Sequence, residues 1–92
     1  MAQKPDDALS RYGLALEYMN SGDSAAADQH FRTLLEHNPG YVPGYLMYGQ
    51  LLAREARTEE ARSVLSTGIE AATKAGNQHA RSEMEALLND LS

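Results

Sequence analysis

Apolar residues recur at helical steps along the whole chain, and turn-forming residues cut the pattern into five segments. The first, about Asp7 to Asn20, carries Ala8, Leu9, Tyr12, Leu14, Ala15, Leu16, Tyr18 and Met19. That is more than one stripe holds, so both sides of this helix are expected to be covered or used. Gly22 suits the left-handed residue that ends a helix, and Asp23 or Ser24 suits the cap of the next. The second segment, about Ser24 to His37, places Ala27, Phe31, Leu34 and Leu35 at steps of three and four, with Asp28, Gln29, Arg32, Thr33 and Glu36 opposite. This is a one-faced amphipathic helix. Asn38, Pro39 and Gly40 stop it, since proline breaks the hydrogen-bond ladder and disfavours helix in the residue before it.

The third segment starts near Pro43 and runs to about Ala56, with Tyr45, Leu46, Met47, Tyr48, Leu51, Leu52 and Ala53 again spread over more than one side. Its turn, Glu55 to Thr58, has alanine where the earlier turn has Gly22; Thr58 is the expected cap, with Glu59 and Glu60 favouring the helix start behind it. The fourth, about Glu59 to Lys74, buries Ala61, Val64, Leu65, Gly68, Ile69 and Ala72. Gly68 costs a helix about 1 kcal/mol against alanine, so a close helix–helix approach is expected there. Ala75, Gly76 and Asn77 lead into the fifth, about Gln78 to Asp90, whose stripe is Ala80, Met84, Leu87, Leu88 and Leu91. Arg81, Glu83, Glu85 and Asp90 face the other way, giving one dry and one wet side.

The segments repeat. At a constant offset of 34 residues, Arg11 falls on Tyr45, Leu14 on Tyr48, Ala15 on Gly49, Tyr18 on Leu52, Ala27 on Ala61, Phe31 on Leu65 and Leu34 on Gly68. A fixed period of this length marks an array of helix–turn–helix units. The fifth segment fits an offset of 35 instead, which puts Gly49 on Met84 and Leu52 on Leu87. A terminal helix with a polar outer side is what the open end of such an array requires.

Leu14, Ala15, Tyr18, Gly22, Asp23, Ala27, Phe31 and Pro39 together resemble the tetratricopeptide repeat, and Tyr45, Tyr48, Gly49, Leu52, Ala61 and Leu65 carry the likeness into the second unit. The second unit departs from it at Ala56, Gly68 and Thr73. The resemblance implies an all-α array of antiparallel helix pairs in a right-handed superhelix of five helices. It implies a tail over residues 1–6, units over 7–40 and 41–75, and a capping helix over 76–92, all in one domain. It also implies an interaction module whose first helices line a concave groove. Carried over by position, that groove is Leu9, Tyr12, Leu16, Met19 and Asn20 in the first unit and Leu46, Gln50, Ala53 and Arg54 in the second, with Leu88 from the terminal helix. Family members that clamp a peptide's C-terminal carboxylate use Lys and Asn on these helices. Here Tyr12, Leu16 and Met47 occupy such places, so that clamp is absent and the groove is apolar, with Gln50 and Arg54 as polar handles.

Composition narrows the chemistry. Thirteen acidic residues against eight basic ones leave a net charge of −5, and the arginines stand singly, so neither nucleic acid nor an anionic membrane is an expected partner. With no cysteine there is no disulfide, thiol chemistry or thiolate metal site. The start lacks an apolar signal region and no stretch is long and apolar enough to span a bilayer, so a cytoplasmic location is expected. His30 and His37 lie seven apart on one helix, a poor spacing for metal ligands, and no metal or cofactor is expected. Acidic pairs fall at helix starts, where capping explains them, and no nucleophile–base constellation or phosphate loop is present, so catalysis is not expected. The expected partner is a protein helix or peptide. The alternatives are a structural homodimer that consumes the groove, or a fragment of a longer array.

Overall fold

The computed structural model describes residues 7–91, so the tail expected over residues 1–6 lies outside the described residues. The described residues form five helices: α1 (Ala8–Ser21), α2 (Ser24–His37), α3 (Val42–Arg54), α4 (Thr58–Ala75) and α5 (Gln78–Asp90). Every expected segment is a helix, with bounds within about one turn of those read from the sequence.

Local chemistry sets most of the ends. The Asp7 carboxylate accepts from the backbone N–H of Ser10 at 3.0 Å and its hydroxyl at 2.8 Å, which hold the Asp7 pKa below its ordinary value. Asp23 and Asn77 cap α2 and α5 through the N–H groups of Ala26 and Ala80. Thr58 does not cap α4. It is the first helical residue, Arg57 holds the cap position without a side-chain bond, and Glu59 and Glu60 supply the favourable charge.

Three helices end in the same paired bond. Gly22 donates to the Met19 carbonyl and Asp23 to that of Tyr18; Ala56 donates to Ala53 and Arg57 to Leu52; Gly76 donates to Thr73 and Asn77 to Ala72. The middle one is made without glycine, and Ala56 takes φ +62° to do it.

The helices form two layers. The odd helices touch in succession, α1 to α3 and α3 to α5, whereas α2 and α4 make no close approach. A stack that is tight on one side and splayed on the other curves, with α1, α3 and α5 on the inside. Two joined cores fill it. Phe31, Leu34, Leu51 and Leu52 centre the one among α1, α2 and α3, and Tyr45, Leu65 and Met84 centre the one among α3, α4 and α5. At Gly68 three helices close on one point: a Cβ there would stand 2.5 Å from the Tyr45 Cβ and 2.6 Å from the Met84 sulfur. The close approach expected at Gly68 is the reason three helices can meet.

Candidate functional site

The inner layer brings most of the expected groove residues to one side. Leu9, Tyr12 and Leu16 follow each other at steps of three and four on α1, so their side chains share one face. Leu46 and Gln50 take the matching positions on α3, followed one turn on by Arg54. Leu9, in the first turn of α1, is 69% exposed. Tyr12, Leu16, Leu46 and Ala53 are half-buried, each with part of its surface on the core and part outside. The Tyr12 ring rests against Tyr41, centroids 5.4 Å apart and tilted by 57°. Burial, then the neighbouring Tyr41, raises the Tyr12 hydroxyl pKa, so it stays a neutral donor. Asn20, Gln50 and Arg54 are exposed, and one Arg54 N–H reaches the Met19 carbonyl at 3.5 Å.

Met19 does not join this face. It is buried in the first core, because at its turn of α1 the inward direction has already rotated toward α3. Leu88, at the corresponding place on α5, is half-buried and packs on the second core. Beyond it the inner side of α5 is polar, with Arg81 and Glu85 paired at 3.2 Å. The inner surface therefore grades from apolar on α1 to charged on α5.

Two features escaped the sequence pattern. The first is a partly exposed polar hub around Asp28. The Tyr48 hydroxyl donates to Asp28 and receives the Arg32 Nε–H at 3.2 Å, Arg57 reaches Asp28 at 3.4 Å, and Glu60 holds Arg57 at 2.6 Å. Burial, then the bond to the Asp28 carboxylate, pushes the Tyr48 pKa up to about 12. Asp28 reads as an ordinary polar-face residue; only its i,i+4 spacing to Arg32 hints at a pair. The second is a pair of hollows along α4, the smaller of them between α2 and α4. One of about 470 Å³ is lined by Pro39, Tyr45, Glu70, Ala71 and Lys74, among others, and one of about 270 Å³ by Arg32, Leu35, Tyr48 and Val64, among others; Tyr45 and Thr67 border both. The smaller hollow follows from the splaying of α2 and α4, and both lie away from Leu9 and Leu16. Among the described residues no group of His, Asp and Glu is placed to hold a metal ion, and no helix is long and apolar enough to cross a membrane.

Comparison with known proteins agrees with this architecture. A tetratricopeptide repeat family profile matches residues 18–88. A TPR repeat-containing protein of Pseudomonas aeruginosa is 30% identical over 91 residues, covering 99% of this chain and 87% of its own length. The solution structure of a tetratricopeptide repeat domain protein from Salinibacter ruber superposes with a TM-score of 0.91 at 32% identity, over 98% of this chain and 91% of that one. A protein of Bordetella parapertussis superposes with a TM-score of 0.83 at 28% identity, over 95% of this chain and 76% of that one. The fold shared by these proteins generally mediates protein–protein interaction and is a non-catalytic repeat scaffold. The chain belongs to the tetratricopeptide repeat family.

Proposed function

We propose that the protein is an adaptor that holds an apolar helix or peptide of a partner protein against the inner faces of α1 and α3. The observation behind this reading is Leu9. A leucine left 69% exposed at the rim of half-buried Tyr12, Leu16 and Leu46 costs the free protein hydration free energy that a docked apolar side chain would recover. Gln50 and Arg54 at the edge fix the direction of the bound segment by hydrogen bonds to its backbone or to an acidic side chain. Half-buried residues on rigid helices hold the surface in place before binding, which limits the ordering cost.

The test is capture from native lysate on immobilised wild type beside Leu9→Glu, with circular dichroism on both. Leu9 is the least buried member, so its substitution leaves the core intact. A partner held by wild type and lost with Leu9→Glu supports the reading; one held equally by both overturns it. Leu16→Ala and Gln50→Ala then separate the apolar contribution from the orienting one.

A further inference from the structure

The outer flank of α1, turned away from the rest of the stack, has the register of a surface on which another helix sits. α3 has the same positions 34 residues on, and there α2 seals them: the Tyr48 ring lies on Phe31 with centroids 5.4 Å apart, and Tyr48 and Leu52 keep only 5% and 0% of their surface. Leu14 and Tyr18, their equivalents on α1, keep 43% and 36%. The flank is not a plain apolar copy. Where α3 has Tyr45 and buried Leu51, α1 has Arg11 and Glu17.

These two charges are opposite in sign and stand three residues to either side of Leu14. On an antiparallel pair of α1 helices related by a two-fold axis through Leu14, each position meets the one equally far on the other side. Leu14 then meets Leu14 of the second copy, and each Arg11 meets the other chain's Glu17. A parallel pairing in the same register would set Arg11 on Arg11 and Glu17 on Glu17. We propose that this flank joins two copies of the chain in a symmetric, antiparallel α1–α1 dimer. The symmetry is the reason to choose a second copy as the occupant: one surface supplies both halves of both ion pairs.

The flank is already ordered in the single chain. An Arg11 guanidinium N–H reaches Nδ1 of His30 at 3.4 Å, and the Tyr18 ring stacks on His30 with centroids 5.3 Å apart and planes within 4°. A helix of this length spans about 21 Å, so the contact falls below the roughly 1,200 Å² of tight interfaces. The dimer is accordingly weak and populated at roughly 10 µM to 1 mM protein.

Sedimentation equilibrium over that concentration range tests it, with wild type, Glu17→Arg, Arg11→Glu, the exchanged double variant and Leu14→Glu, each checked for helicity. Wild type is expected to dimerise reversibly. Glu17→Arg sets like charges together and weakens the dimer at least about tenfold; Arg11→Glu does the same, and the double variant returns to within about threefold of wild type. Leu14→Glu stays monomeric. Wild type that remains monomeric at the highest concentration overturns the proposal, as do single variants that dimerise normally or a double variant that does not recover. A dimer broken by Leu16→Glu and kept by Leu14→Glu also overturns it, since self-association would then use the inner face. Glu17 is exposed and needs no core adjustment, so Glu17→Arg keeps the test decisive even if Arg11→Glu disturbs the contact with His30.

Discussion

The pairs α1–α2 and α3–α4 are built on one plan but answer to different neighbours. Each crosses at a small residue, Ala15 in the first pair and Gly49 in the second, and each turns through a left-handed residue, Gly22 or Ala56. The second pair is enclosed on both sides. There the sequence goes down to glycine three times: at Gly44, where a Cβ would stand 3.0 Å from methyls of Leu34 and Leu35 on α2; at Gly49, 2.4 Å from a Leu65 methyl within the pair; and at Gly68 between Tyr45 and Met84 of α5. The first pair has a bare flank, and its one mid-helix glycine, Gly13, faces open space. In a repeat, then, the size allowed at a position is decided by what lies outside the unit as much as by the unit's own register.

The comparison breaks most visibly at equivalent leucine and tyrosine positions. Leu52→Ala is expected to cost about 2–5 kcal/mol by leaving a cavity in the first core. Tyr18→Ala, at the same register on the open flank, loses its stacking on His30 and is expected to cost less, about 1–2 kcal/mol. Urea denaturation at low micromolar protein measures both, and equal losses would mean the two flanks are equally covered. The glycines sharpen the contrast next. Gly68→Ala is expected to destabilise by about 1–3 kcal/mol through overpacking against a Cβ that cannot swing away, whereas Gly13→Ala gains about 1 kcal/mol of helix propensity with nothing to strike. Thermal melts of the two variants should move in opposite directions.

The turns give a smaller pair of effects with opposite signs. Ala56→Gly relieves a left-handed alanine and is expected to stabilise by about 1 kcal/mol; Gly22→Ala introduces one and should cost a similar amount. The last prediction concerns pH. Tyr48 has its pKa raised in the fold from 10.0 to about 12, so it adds stability that is fully present below pH 10 and lost as pH rises toward 12. No tyrosine occupies its equivalent position on α1, where Leu14 stands. Tyr48→Phe is expected to flatten the alkaline fall in stability, leaving a residual slope from Tyr12 and Tyr45, whose values are also raised. Chemical denaturation at steps from pH 8 to pH 11.5 reads the difference.

The helices were legible because their ends are written locally: an Asp or Asn three residues before a backbone N–H, a glycine or proline at the stop. Thr58 misled because Ala56 accepts the left-handed turn that glycine usually takes, which fixes Arg57 in the cap position and draws Thr58 into the helix. The face of the candidate site was legible at Leu9, Tyr12 and Leu16, whose spacing puts them on one side of α1. Met19 was not, since periodicity tells which residues share a face but not where along the helix a neighbour arrives. For the same reason the pattern could not distinguish Leu14 from Tyr48: the two sit identically in their own helices and differ only in that the described residues place a preceding unit against α3. The hub around Asp28 needs α2, α3 and α4 assembled before it exists, and no single stretch of sequence contains it.

The order of helix contacts has a consequence for kinetics. Among the described residues each helix touches only helices one or two places away along the chain. Such a topology has low contact order, so little loop-closure entropy is lost before native contacts form, and folding on the microsecond to millisecond scale follows. It also means that, among the described residues, no helix contact joins α1 to α5. Amide exchange should therefore be slowest in α3, which alone touches all four other helices, and should quicken outward toward α1 and α5 as the stack opens from its ends.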